Sequence, residues 1–130
     1  MTLLGPLYHW SPRDRLASIS RLGLVPGRRN IAGPVRQPPR PAGVDAQDWP
    51  GEFRQSAVCA SLDAATAWSY SHGAWGSTGS FDLWQFLLVD GDDVQVLRQW
   101  GPRVVEVRVH NRVRKARLLW VGERKVIPRG

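Results

Sequence analysis

Apolar positions change their period several times along the chain, and each change marks an element. Leu3 to Tyr8 is a short apolar stretch, broken by Gly5-Pro6 and ending at His9-Trp10. Leu16, Ile19 and Leu22 then recur at helical spacing, which predicts an amphipathic helix. Ser11 suits its N-cap, Pro12 its first position, and Asp14 the third place of a capping box, while Gly23 suits the residue just past its end. Leu24-Val25-Pro26-Gly27 closes the unit as a turn. Ser56 to Ala60 reads as a short buried strand, after which Asp63 can cap a helix running from Ala64 to Tyr70. A connection over 71–80 holds Gly73, Gly76 and Gly79. Strands follow at Trp84–Val89, Val94–Leu97 and Arg103–Val109, parted by turns at Gly91-Asp92 and Gly101-Pro102. Leu118–Val121 and Lys125–Ile127 are the last strands, on either side of Gly122. Few helices among several strands predict a single α+β domain over 1–130 with a mostly antiparallel sheet.

One segment has no period at all. Between 27 and 51, glycines and prolines alternate with Arg28, Arg29, Arg36 and Arg40. A loop this long inside a small domain is either a lid over a ligand or a disordered segment, and the pattern leaves both open.

Composition narrows the chemistry. Hydrophobic residues make up 42% of the chain, enough for a core. No run approaches the roughly 18–20 apolar residues of a membrane helix, so no membrane is expected. The first twelve residues lack the basic region of a signal peptide. A single cysteine, Cys59, excludes an internal disulfide; within Ala57-Val58-Cys59-Ala60 it reads as a small buried hydrophobe, and a cytoplasmic setting is expected. His9, His72 and His110 have no partners at metal-ligand spacing, so no metal is expected. No Gly-x-Ser-x-Gly elbow supports a serine hydrolase, and 71–80 does not close with the Gly-Lys-Ser/Thr of a phosphate-binding loop.

Charge points to a partner class. Eighteen basic residues against eleven acidic ones give a net charge of +7. Arginine dominates the basic set, and its guanidinium grips phosphates and stacks on rings. Such a surface attracts nucleic acid or a nucleotide diphosphate, although arginine-rich coding with solvated side chains gives the same count.

Three short motifs carry a resemblance. Leu7-Tyr8-His9-Trp10-Ser11, then Ile19 and Gly23-Leu24-Val25-Pro26, resembles the opening of the ADP-ribosyltransferase superfamily. Ala60-Ser61-Leu62-Asp63 with Ala67-Trp68-Ser69-Tyr70 resembles its strand-serine and the helix ending in tyrosine. Val105-Glu106-Val107-Arg108-Val109, before the basic stretch Arg112 to Arg117, is similar to its glutamate-bearing strand. The likeness is to the His-Tyr-Glu branch, and its last element to DarT-type toxins that modify DNA. It covers about residues 5–121. Trp10 stands where many members carry glycine, and an arginine used by the DNA-modifying toxins could be Arg28, Arg29, Arg36, Arg40 or Arg54.

The resemblance implies a split, mostly antiparallel sheet and a monomer. It implies an enzyme that transfers ADP-ribose from NAD, without metal, to nucleic acid or to protein. The role would be that of a toxin or phage effector, with an antitoxin or inhibitor as partner. Glu106 would be catalytic; His9, Ser11 and Tyr70 would bind NAD, and His9, Tyr70 and Glu106 would converge on one cleft. Cleavage of the nicotinamide–ribose bond passes through an oxocarbenium-like state, which a carboxylate stabilises and a stacked ring keeps in line. Each residue also has an ordinary role open to it. Alternation sets Val104, Glu106, Arg108 and His110 on one face, which can be a plain solvent face. Ser11 can be only a cap, Tyr70 a core-edge ring and His9 a structural hydrogen bonder. Glu123, after the glycine at 122, is the competing carboxylate. An RNA 2′-phosphotransferase-like enzyme using NAD and a non-catalytic basic nucleic-acid-binding module remain as alternatives.

Overall fold

The computed structural model describes residues 5–26, 57–69, 71, 73–74, 76–99 and 103–128, with the backbone alone at 97–99 and 103–105. The loop expected over 27–51 lies outside them. Strand β1 (Leu7–Pro12) leads through a 3-10 turn at Arg13–Arg15 into helix α1 (Leu16–Leu22). Strand β2 (Val58–Ala60) leads into helix α2 (Ala64–Ser69). Strands β3 (Gly79–Phe86), β4 (Val94–Gln99) and β5 (Arg103–Val109) follow, then a 3-10 turn at Lys115–Arg117 and strand β6 (Leu119–Val126).

The strands form two antiparallel sheets, β1-β3-β6 and β2-β5-β4, so the chain is an α+β fold with few helices, as its pattern predicts. One isolated bridge joins the sheets among the described residues. The Tyr8 N–H donates to the Ser61 carbonyl at 2.8 Å, and the Ser61 N–H to the Tyr8 carbonyl at 3.0 Å. No ladder continues from this pair, so β1 and β2 part and leave a fork.

Alternation along each strand places the core. Leu7, Trp84, Phe86, Val58, Ala60, Val107 and Val109 are buried on one side, where Ile19 of α1, Leu24 and Val113 close over them. Tyr8 and Trp10 face the other side, where the Trp10 indole donates to the Ala64 carbonyl at 2.9 Å and meets Trp68 edge-on. Trp68 in turn contacts Phe81 edge-on, and the Arg124 guanidinium lies 4.1 Å from its ring centre. Asp63 caps α2 as expected: its carboxylate accepts from the Thr66 N–H at 2.7 Å and the Thr66 hydroxyl at 3.0 Å.

Several expectations are corrected. Ser11 is not a helix cap, because the ladder with β3 runs on through Ser11↔Asp82 and Pro12↔Phe81 and holds Ser11 in strand geometry. The 3-10 turn and α1 then start with no side-chain cap, so the Asp14 capping box is absent. β3 begins at Gly79, five residues before Trp84, since its pairing with β6 reaches Gly79↔Val126. The two terminal strands are one. Gly122 faces Leu83 inside the ladder, and the irregularity falls beside it, where β6 carries one extra residue, Val121.

Arg117 ties the β3–β4 turn to the segment before β6. Its guanidinium donates two bonds to Asp92, at 3.0 and 2.7 Å, and one to the Leu87 carbonyl at 2.7 Å. Burial of the Asp92 carboxyl would raise its pKa, but Arg117, the Val89 N–H and Asn111 outweigh that and hold it below the ordinary value. A carboxyl with a depressed folded pKa contributes stability above its unfolded pKa of about 3.9, and loses it as pH falls through the folded value. Asp92→Asn should therefore be less stable at neutral pH and decline less steeply below about pH 4, read by urea unfolding at a series of pH values.

Gly23 ends α1 at φ +82°, with its N–H donating to the Ile19 carbonyl at 2.8 Å. A Cβ there would collide with the Val113 carbonyl and stand 2.7 Å from the Lys115 nitrogen. Gly23→Ala should lose at least about 1–3 kcal/mol from backbone strain alone. Gly122→Ala, whose Cβ would meet nothing closer than Leu83 at 3.9 Å, should change little. Denaturant midpoints of the two variants test this.

Candidate functional site

The fork brings together three strands that the sequence holds far apart. Cys59 is the central residue of β2, opposite Arg108 of β5. One step past the ladder pair Ala60↔Val107, Ser61 and Glu106 come next in register, on the face that carries Cys59 and Arg108. On the other side of the fork, the His9 ring of β1 donates from Nδ1 to the Cys59 carbonyl at 2.6 Å. That bond fixes the neutral tautomer, leaving Nε2 as the acceptor nitrogen. His9 and Glu106 thus both border Cys59, His9 at its carbonyl and Glu106 at its thiol. Alternation points His9 to the side of Leu7 and Ser11, and Glu106 to the side opposite Val107; they approach each other only across the gap between the sheets.

Cys59 is a correction. It is exposed rather than packed in the core, because only Val58 and Ala60 of β2 turn inward. Its thiol is nevertheless surrounded by protein mass, as at the floor of a concavity. This burial, joined by the charge and hydrogen bond of Glu106 and opposed by Arg108, pushes its pKa up to about 12.

The other expected site residues lie as follows. Ser11 is 2% exposed and stands opposite Asp82, in the floor of the first sheet. Tyr70 lies outside the described residues. Glu123 belongs to β6, two strands away from β1, where it pairs with Arg13. Arg13 also grips Asp82, at 2.9 Å to each carboxylate oxygen, and the Trp120 indole donates to the same carboxylate at 2.9 Å. That cluster is a brace across β1, β3 and β6. The pattern does not reveal it, since Arg13 and Glu123 are 110 positions apart.

Cys59 and Ser61 were legible in principle. They alternate with Val58 and Ala60, but small side chains hide the two-residue period inside what reads as an apolar run. Among the described residues no three His, Cys, Asp or Glu side chains gather as a metal cage, and no helix is long and apolar enough to cross a membrane. No family model, curated protein or solved structure matches the chain.

The geometry has a chemical signature at Cys59. With its pKa near 12, the exposed thiol should react with a disulfide reagent at pH 8 about a hundredfold more slowly than free cysteine. Glu106→Gln removes an adjacent negative charge and should speed that reaction. An unchanged rate would place Glu106 away from the thiol.

Proposed function

We propose that the chain is an NAD-dependent ADP-ribosyltransferase of the His-Tyr-Glu type, transferring ADP-ribose to a macromolecule, with nucleic acid favoured over protein. The observation that carries this reading is the fork: the strand with His9 and the strand with Glu106 lie on either side of Cys59. A sheet split between β1 and β2 also agrees with the fold that the three motifs imply.

In this reading the substrate NAD lies along the fork. Tyr8 turns its peptide N–H and C=O to β2, and alternation turns those of Trp10 the same way, beyond the last bridge. A strand-edge donor and acceptor of this kind match the carboxamide of nicotinamide. Nε2 of His9 accepts from a ribose hydroxyl. Tyr70, directly after α2, stacks on the nicotinamide ring. Ser11 is reassigned to support of the His9 strand, given its burial against β3. As the bond from ribose C1′ to the nicotinamide nitrogen breaks, its electron pair leaves with nicotinamide. The Glu106 carboxylate then stabilises the positive charge on the ribose until the acceptor nucleophile attacks. Glu106 stands on the central strand of its sheet, a rigid support for such a charge. The net charge of +7 suits a polyanionic acceptor. A cytoplasmic effector or toxin held in check by an inhibitor fits a small transferase of this kind.

Nicotinamide release from NAD, with nucleic acid and protein acceptors supplied in turn, tests the reading. Glu106→Gln should lower the rate about 10²–10³-fold, since one preorganised electrostatic contact is lost. Its NAD affinity, read as a shift in melting temperature, should change far less. Glu123→Gln should keep the wild-type rate. Equal rates for wild type and Glu106→Gln would end the assignment. A wild-type protein that gains no thermal stability from millimolar NAD, yet binds nucleic acid in a salt-dependent way, would instead be a basic binding module.

A further inference from the structure

Strand β6 is the outer strand of its sheet among the described residues, and its surface is unusual for an edge. Eight residues long, it exposes Leu119, Trp120 and Val121 consecutively, at 61%, 50% and 42% of their surface. Leu87 extends the patch: it is 58% exposed, and its carbonyl is bound by Arg117, two residues before β6. An exposed, apolar edge strand offers unpaired peptide groups to any extended chain. Soluble folds usually blunt such edges with charge, proline or a covering element. Here the charges stand at the two ends and the centre stays apolar.

Those charges are of one sign. Arg112, Arg114 and Lys115 are exposed before β6, and Arg124 and Lys125 are exposed in its second half. The carboxylate of this stretch, Glu123, is paired with Arg13. A second copy of the chain adding along β6 would set like cations against one another, which is destabilising across a strand pair. An acidic segment meets the opposite situation.

We infer that β6 is a docking edge for an extended acidic segment of a partner protein, which adds as a fourth strand beside Leu119–Val126. Its apolar side chains would cover Leu119, Val121 and Leu87, its carboxylates would meet the cations at both ends, and its backbone would complete the edge. The surface lies at the far side of the sheet from β1, so the inference does not depend on the transferase reading.

The test uses the full chain and a pool of ten-residue peptides with Glu or Asp at alternate positions and Val, Ile, Leu or Phe between them. A second pool carries Lys in place of the acids, and a third is the acidic pool N-methylated at alternate residues to block strand pairing. The acidic pool should bind and slow hydrogen exchange in 119–126, and the other two pools should not. Arg124→Glu with Lys125→Glu should weaken binding at least about tenfold, in line with the loss of two close charge pairs, and Leu119→Lys should weaken it with the melting temperature retained. Failure of the acidic pool to bind, equal binding of the N-methylated pool, or protection elsewhere would overturn the inference. So would protection of 119–126 that grows with protein concentration in the absence of peptide, which would assign the edge to a second copy.

Discussion

The two sheets meet at one pair of residues, Tyr8 and Ser61, and everything near the fork follows from that junction. Tyr8 spends both of its peptide groups on β2, which sends its side chain to the α2 side, where its hydroxyl accepts from Gln85 at 2.9 Å. Leu7 must then face the core and His9 the gap. A slip of one residue would exchange the two faces, putting Tyr8 and Trp10 against Ile19 and leaving Leu7 in solvent. The register is protected by the long β1–β3 ladder, six pairs from Leu7↔Phe86 to Pro12↔Phe81. The weak junction therefore holds because its neighbour is strong.

Each helix covers one side of this junction. α1 closes over Leu7 and the β2–β5 valines, and Leu24 then binds Val113 through reciprocal peptide bonds at 2.9 and 2.8 Å. α2 covers Trp10 on the other side, with Trp68 pressed so closely on Gly73 that a Cβ there would overlap the ring. The carboxylates divide in the same way. Asp82, Asp92 and Glu123 each face an arginine and brace strands or turns. Glu106 has a thiol for its recorded neighbour instead, at the place where the strands part.

Elements whose signal is local were legible in the sequence. The Asp63 cap, the glycine at the end of α1 and the span of β5 emerge from spacing alone. Errors arose where tertiary pairing overrides a local signal. Ser11-Pro12 has the chemistry of a helix start, yet β3 claims both residues for its ladder. Gly122 has the look of a turn, yet a bulge beside it lets β6 run through. Of the candidate site, Glu106 and His9 were legible as strand residues, whereas their meeting at Cys59 depends on sheet order, which no local pattern encodes.

That order explains why a fork is a good place for chemistry. Backbone groups inside a sheet are committed to their ladders, and buried ones left unpaired are costly. Where two strands part, peptide groups that would have bonded each other must find other partners. The structure answers this at one of them, the Cys59 carbonyl, by turning the His9 ring into the gap. The side chain that satisfies the strand is thereby locked in one tautomer and one orientation. Trp10, next along the same edge, presents its peptide groups between His9 and α2, held there by its indole bond to Ala64. The fork thus combines fixed polar edges with rigid strands behind them, and a ligand that binds there need not organise it first.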